Sequence, residues 1–207
     1  TQQTCQILQK NRQELKNVNW HINESNVDQE FSIIAAKYCT EAYEKLNISH
    51  LFSLKISTPD LKLTFTNGSQ TIQKKIELKS TKSDSLPGSM TMSLDFNQWT
   101  IICKRDINHQ DFEIRYGRYH LGTKLGTHEK FQDRSPRPVL HFSQYQPANE
   151  APKNESIKQD NNWWKMYATT AINRVLNPRN HSWQDDMVKE IIRIVMDNPD
   201  RFKKFKS

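Results

Sequence analysis

PDLKLTF (residues 59–65) and KKIELKST (residues 74–81) flank a short turn, TNGSQ (66–70), and both alternate apolar with polar side chains. A period of two marks a strand with one buried face. Leu61, Leu63 and Phe65 therefore share one face, while Asp60, Lys62 and Thr64 share the other. The same sorting separates Ile76 and Leu78 from Glu77 and Lys79. An Asn-Gly pair in the turn is a strong hairpin signal. If the two runs pair through it, their apolar faces meet one core layer, and Asp60, Glu77 and Lys79 converge on the other side.

Such a ledge has a specific chemistry. Two neighbouring carboxylates repel and raise each other's pKa unless a cation sits between them. A hard divalent ion such as Mg²⁺, with Mn²⁺ as the alternative, takes a few carboxylate oxygens, waters and a substrate phosphate oxygen. Lys79, beside that ion, is placed to orient or deprotonate an attacking water and to stabilise charge on a phosphorane.

Outward from the hairpin, the chain reads as helix, mixed sheet, then helices, which is an α/β organisation. Residues near 5–17 form a short polar helix with Ile7, Leu8 and Leu15 as a thin apolar stripe. NVDQEFSIIAAKYCTEAYEKLN (26–47) is the first strong helix, with Phe31, Ile34, Ala35, Tyr38, Ala42 and Leu46 at helical spacing. Asp28 or Asn26 is its expected N-cap. HLFSLKIS, QWTIICKR and DFEIRYGRYHLG read as further strands, and DRSPRPVLHFSQY adds an edge strand. Two terminal helices end before Pro178 and Pro199. The expected organisation is one domain: an N-terminal extension (1–27), a catalytic core (28–145), a linker (146–162) and C-terminal helices (163–207).

Composition narrows the partner. The chain has 207 residues, a net charge of +7 and 35% hydrophobic residues, with a mean hydropathy of −0.86 and a pI near 9.3. That balance favours a polyanionic partner. Three widely spaced cysteines, Cys5, Cys39 and Cys103, exclude a disulfide framework and a zinc site as readings. No apolar run is long enough to span a bilayer, and the N-terminal segment is too polar for a secretory signal. The expected setting is intracellular, in the cytoplasm.

The ordered set of a helix, Pro59-Asp60 at a strand start, a hairpin and Glu77-Leu78-Lys79 inside the next strand resembles the PD-(D/E)XK nuclease superfamily. The likeness spans roughly residues 28–120 in organisation, and among subfamilies the chain is most similar to type II restriction endonucleases. The resemblance implies a restriction-endonuclease-like mixed central sheet flanked by helices, and a Mg²⁺-dependent cut of double-stranded DNA. Asp60 and Glu77 would ligate the metal with the backbone carbonyl of Leu78, and Lys79 would serve the attacking water. Many members add an acid from the first helix, for which Glu30 is the candidate. A homodimer is the economical assembly for cutting both strands. Two alternatives stand beside this reading: a structure-specific, repair or viral nuclease of the same fold on DNA or RNA, and a non-catalytic nucleic-acid-binding module.

Two loops are expected to touch DNA. Ser80, Thr81, Lys82, Ser83, Ser85 and Ser89 follow the site directly and supply hydroxyls and charge for phosphates and base edges. The second set is Arg115, Arg118, Lys124, Lys130, Arg134 and Arg137, interleaved with Tyr116, Tyr119 and Phe131. In a regular strand, Arg115 and Arg118 fall on opposite faces.

Overall fold

The structure is a computed structural model. It describes residues 1–18, 20, 29–48, 51–57, 60–88, 95, 97–106, 108, 110–123, 139–153 and 183–202. Pro59, the N-cap candidates Asn26 and Asp28, Ser89, Lys124, Lys130, Arg134, Arg137 and the helix expected after residue 163 lie outside the described residues.

A mixed six-stranded sheet organises the fold. Its strands are β1 (Phe52–Ser57), β2 (Asp60–Asn67), β3 (Gln70–Thr81), β5 (Trp99–Arg105), β6 (Phe112–Arg118) and β8 (Gln146–Pro147), in that spatial order. Only β3 and β5 run parallel; the other neighbours are antiparallel. A two-stranded ribbon pairs β4 (Ser85–Pro87) with β7 (Val139–His141). The described α-helices are α1 (Gln2–Lys10), α2 (Gln29–Lys45), α3 (Trp183–Asp197) and α4 (Pro199–Phe202), with short 3-10 turns at Arg12–Asn17, Tyr119–Thr123 and Phe142–Gln144. The expected mixed sheet with helices beside it is therefore present.

The hairpin forms as its alternation requires, with Leu61 opposite Ile76 and Asn67 opposite Gln70. Its two-residue loop is Gly68–Ser69, and Gly68 takes a positive φ of 58° that a side chain would resist. Rows of residues run straight across the sheet. One apolar row is Ile56, Leu61, Ile76 and Trp99; another is Leu78, Ile101 and Tyr116. These side chains join Cys5, Leu8, Phe31, Ala35, Tyr38, Cys39 and Ala42 in the main core. Leu46, the last residue of the expected helical stripe, is exposed in the turn beyond α2.

The described part of the expected N-terminal extension, residues 1–18 and 20, packs into the main core. Cys5, Leu8 and Leu15 are fully buried. Gln9 ties α1 to the sheet, accepting from the Ile114 N–H at 2.7 Å and donating to the Phe112 carbonyl at 3.3 Å. Two further boundaries move. The expected linker at 146–162 begins inside the sheet, because Gln146 and Pro147 pair with Tyr116 and Arg115 and Ala148 is buried. The Ser-rich loop after Lys79 contains β4, whose partner strand lies more than fifty residues downstream.

The opposite face of the sheet divides in two. Over β5 and β6 a second, smaller core gathers Leu86, Ile102, Tyr119, Leu140, Phe142 and Tyr145. Over β1–β3, Ser53, Lys55, Lys62 and Gln73 are exposed.

Candidate metal centre

Asp60 opens β2 and Glu77 lies in β3, and the register that sets Leu61 opposite Ile76 continues to bring these two carboxylates across from each other. The row extends to Thr100 on β5 and Gly117 on β6. Both acids are buried, with residue exposures of 6% for Asp60 and 2% for Glu77. Alternation forces this placement: the strand that buries Ile76 and Leu78 against the helices must present Glu77 and Lys79 to the other side.

Each carboxylate is held by a lysine from β3. Lys79 Nζ lies 2.9 Å from Glu77 Oε1, and its side chain is only 13% exposed. Lys75 Nζ lies 2.5 Å from Asp60 Oδ2. Glu77 is further oriented by Gln98, whose Nε2 donates to Oε2 at 2.9 Å. Gln98 is itself latched, its N–H donating to the Asp95 carbonyl and its own carbonyl accepting from Tyr119 N–H.

The remaining oxygen matters most. Asp60 Oδ1 is buried and makes no hydrogen bond. A buried, unsatisfied carboxylate oxygen carries a desolvation cost of a few kcal/mol, about 1–3 for a neutral group and more for a charged one. Burial, then the neighbouring charge of Glu77, pushes the Asp60 pKa above its ordinary value; Lys75 and Lys79 oppose the shift without cancelling it. A cation between the carboxylates relieves both causes.

Glu30 is the acid that the resemblance adds from the first helix. It stands exposed in the first turn of α2, and no set of three or more His, Cys, Asp or Glu side chains suited to a metal occurs among the described residues. A two-carboxylate site suits Mg²⁺, which keeps several waters and is bound through one or two carboxylates. Leu78 buries its side chain in the helix-side core, so only its backbone carbonyl remains for the role the resemblance gives it.

The expected DNA contacts scatter. Ser80 and Thr81 have buried side chains, because Ser80 faces the helix-side core and Thr81 closes a turn with Ser83 through hydrogen bonds of 2.9 and 3.0 Å. They are thus withdrawn from the surface. Ser83 Oγ donates to the Ser85 carbonyl, and both residues remain exposed beside half-buried Lys82. Arg115 stacks over Phe142, pairs with Glu113 and donates to the Ser143 and Tyr145 carbonyls. Arg118 lies on the other face, over the Trp99 ring at 4.4 Å, and donates to the Asn97 carbonyl. Both arginines therefore serve the fold where they stand.

The sequence reading missed Lys75 and Gln98. Lys75 was visible in the alternation, two residues before Glu77 on the same face. Gln98 was not, since its position depends on the parallel pairing of β3 with β5.

No helix among the described residues is long and apolar enough to cross a membrane. No protein-family model matches the chain, and neither the curated proteins nor the solved structures contain a match.

Proposed function

We propose that the chain is a Mg²⁺-dependent endonuclease that hydrolyses phosphodiester bonds of double-stranded DNA, in the manner of a type II restriction enzyme. The observation that carries this reading is the pair of buried acids, Asp60 and Glu77, with Asp60 Oδ1 unsatisfied and Lys79 alongside. Asp60, Glu77 and the Leu78 carbonyl would hold the metal, which when bound would supply Lewis-acid chemistry at a phosphate. Gln98 and Lys79 fix the Glu77 carboxylate from both sides, so the oxygens facing the substrate are pre-oriented. The Lys79 ammonium, held at the edge of the pair, orients the water and stabilises charge on the phosphorane.

Cutting both strands calls for two such centres, so a homodimer belongs to the proposal. Helix α3 offers the candidate interface, with Met187, Ile191 and Ile194 exposed at helical spacing.

Plasmid cleavage tests the reading, with Mg²⁺ or EDTA, for wild type, Asp60→Ala and Lys79→Ala. Discrete Mg²⁺-dependent fragments from wild type alone are expected. Nicking of flaps or RNA degradation moves the activity to another nuclease of the same chemistry. DNA binding without cleavage in Mg²⁺ or Mn²⁺ removes the enzymatic reading.

A further inference from the structure

The row of the sheet beside the two carboxylates is made of lysines. Lys55 on β1 lies directly opposite Lys62 on β2, and Lys62 lies directly opposite Lys75 on β3. Paired residues share a face, and that face is the one carrying Asp60 and Glu77. Lys55 and Lys62 are exposed, and the Lys75 side chain is 41% exposed. The next row toward the hairpin loop, Ser53, Thr64 and Gln73, is uncharged. No acidic side chain pairs with Lys55 or Lys62 among the described residues.

Like charges directly opposite on neighbouring strands destabilise a sheet. Lys75 is compensated by Asp60, and a lysine on the edge strand β1 guards that edge against pairing with another chain; Lys62, on an inner strand between two lysines, has neither reason among the described residues. For Lys62, and for Lys55 beside it, the compensating charge then comes from outside the chain. We infer that Lys55, Lys62 and Lys75 form a track for the phosphodiester backbone of a DNA strand, delivering it to the Asp60–Glu77 row.

Dimensions fit this partner. Neighbouring strands lie about 4.8 Å apart, so the row spans about 10 Å, an axial length over which one strand of a DNA duplex presents about three phosphates. Along β2 or β3 the carboxylate row is two residues away, about 7 Å. Flexible four-carbon stems carry point charges suited to phosphates without reading bases. Lys75 joins the rows, because it stands in the lysine line and touches Asp60 Oδ2. The open half of the site face, over β1–β3, leaves room that the Tyr145–Phe142 core denies over β5 and β6.

The inference rests on the nuclease reading for the identity of the polyanion, and binding separates the two. Fluorescence anisotropy with a labelled 20-base-pair DNA duplex, in EDTA so that nothing is cut, is followed across a salt series. The variants are Lys55→Gln/Lys62→Gln and, as a control on the helix-side face, Lys74→Gln. Each lost phosphate contact lowers the slope of log K against log salt by about 0.9, so the double variant should lose about 1.8 and the control nothing. Melting temperature should hold or rise, since repulsion is removed, which separates lost binding from lost folding. An unchanged slope in the double variant, or an equal loss in Lys74→Gln, overturns the track. Wild type that binds with the expected slope yet cuts nothing in Mg²⁺ or Mn²⁺ keeps the track and removes the nuclease.

Discussion

Strand β3 shows two different surfaces to its surroundings, residue by residue. Toward the helices it presents Ile76, Leu78 and Ser80, all buried. Toward the other side it presents Lys75, Glu77 and Lys79, which form two ion pairs within one strand and its neighbour. The first surface is mainly apolar: Ile76 and Leu78 meet apolar groups from α1 and α2. The second carries buried charge, and the Asp60 Oδ1 carboxylate oxygen makes no hydrogen bond there. A fold selected for stability alone would have no use for that second arrangement. Functional sites are where local rules of consistency are expected to break.

The sharpest way to break this contrast is to remove charge from the unsatisfied face. Lys79→Met keeps the aliphatic stem and deletes the ammonium. Cleavage should fall by about 10²–10⁴-fold, the range for loss of a positioned acid–base group. DNA affinity measured in EDTA should change little. Equal cleavage by the variant would assign the water to another group.

On the helix side, the matching change is Leu78→Ala, one residue away and fully buried. The loss should be about 2–5 kcal/mol, lowering the melting temperature by on the order of 10 °C. Activity per folded molecule should survive, since the alanine carbonyl replaces the leucine carbonyl. If Leu78→Ala loses activity without losing stability, the two surfaces are not separable as argued.

A smaller effect is expected at Gln98. Gln98→Leu removes the donor to Glu77 Oε2 and keeps similar bulk. Groups that orient metal ligands are worth about 10–100-fold in metal affinity or activity, so the Mg²⁺ concentration for half-maximal cleavage should rise about tenfold. A variant that cuts at normal Mg²⁺ would reduce the Gln98 contact to packing.

These contrasts were unequally visible in the sequence. The two faces of the hairpin follow from alternation alone, because period-two sorting needs only local residues, and the shared face of Asp60, Glu77 and Lys79 emerged as that sorting requires. Helix α2 was equally plain from Phe31, Ala35, Tyr38 and Ala42. What escaped depended on distant pairing. Gln98 faces Glu77 only because β5 runs parallel to β3, and Ser85–Pro87 becomes a strand only against Val139–His141. The N-terminal segment was legible in part: its expected apolar stripe, Ile7, Leu8 and Leu15, is buried in the main core, while the Gln9 bonds that tie α1 to β6 depend on distant pairing. The lysine row was implicit in the alternation of each strand, yet its alignment needed the register of β1 on β2.

The smallest predicted change is a gain in stability, and its pH dependence tests the electrostatics of the site. Burial and Glu77 hold the folded-state pKa of Asp60 above its ordinary 3.8. The unfolded chain therefore releases this proton first as pH rises. Between the unfolded and folded values the folded state binds more protons, so the stability contributed by protonated Asp60 is lost across that window. Asp60→Asn keeps the shape and never ionises. It should melt with wild type below about pH 3.5, near the unfolded value, and above wild type near neutral pH. Each kcal/mol of relieved repulsion raises the melting temperature by about 2–4 °C. Loss of the Lys75 contact subtracts from the gain, but the half-exposed lysine can return its ammonium to water. Adding Mg²⁺ near neutral pH should then stabilise wild type by mass action and leave Asp60→Asn nearly unmoved, narrowing or reversing the gap. A variant no more stable than wild type near neutral pH would mean that Lys75 already neutralises Asp60, and the case for a cation between the two carboxylates would weaken with it.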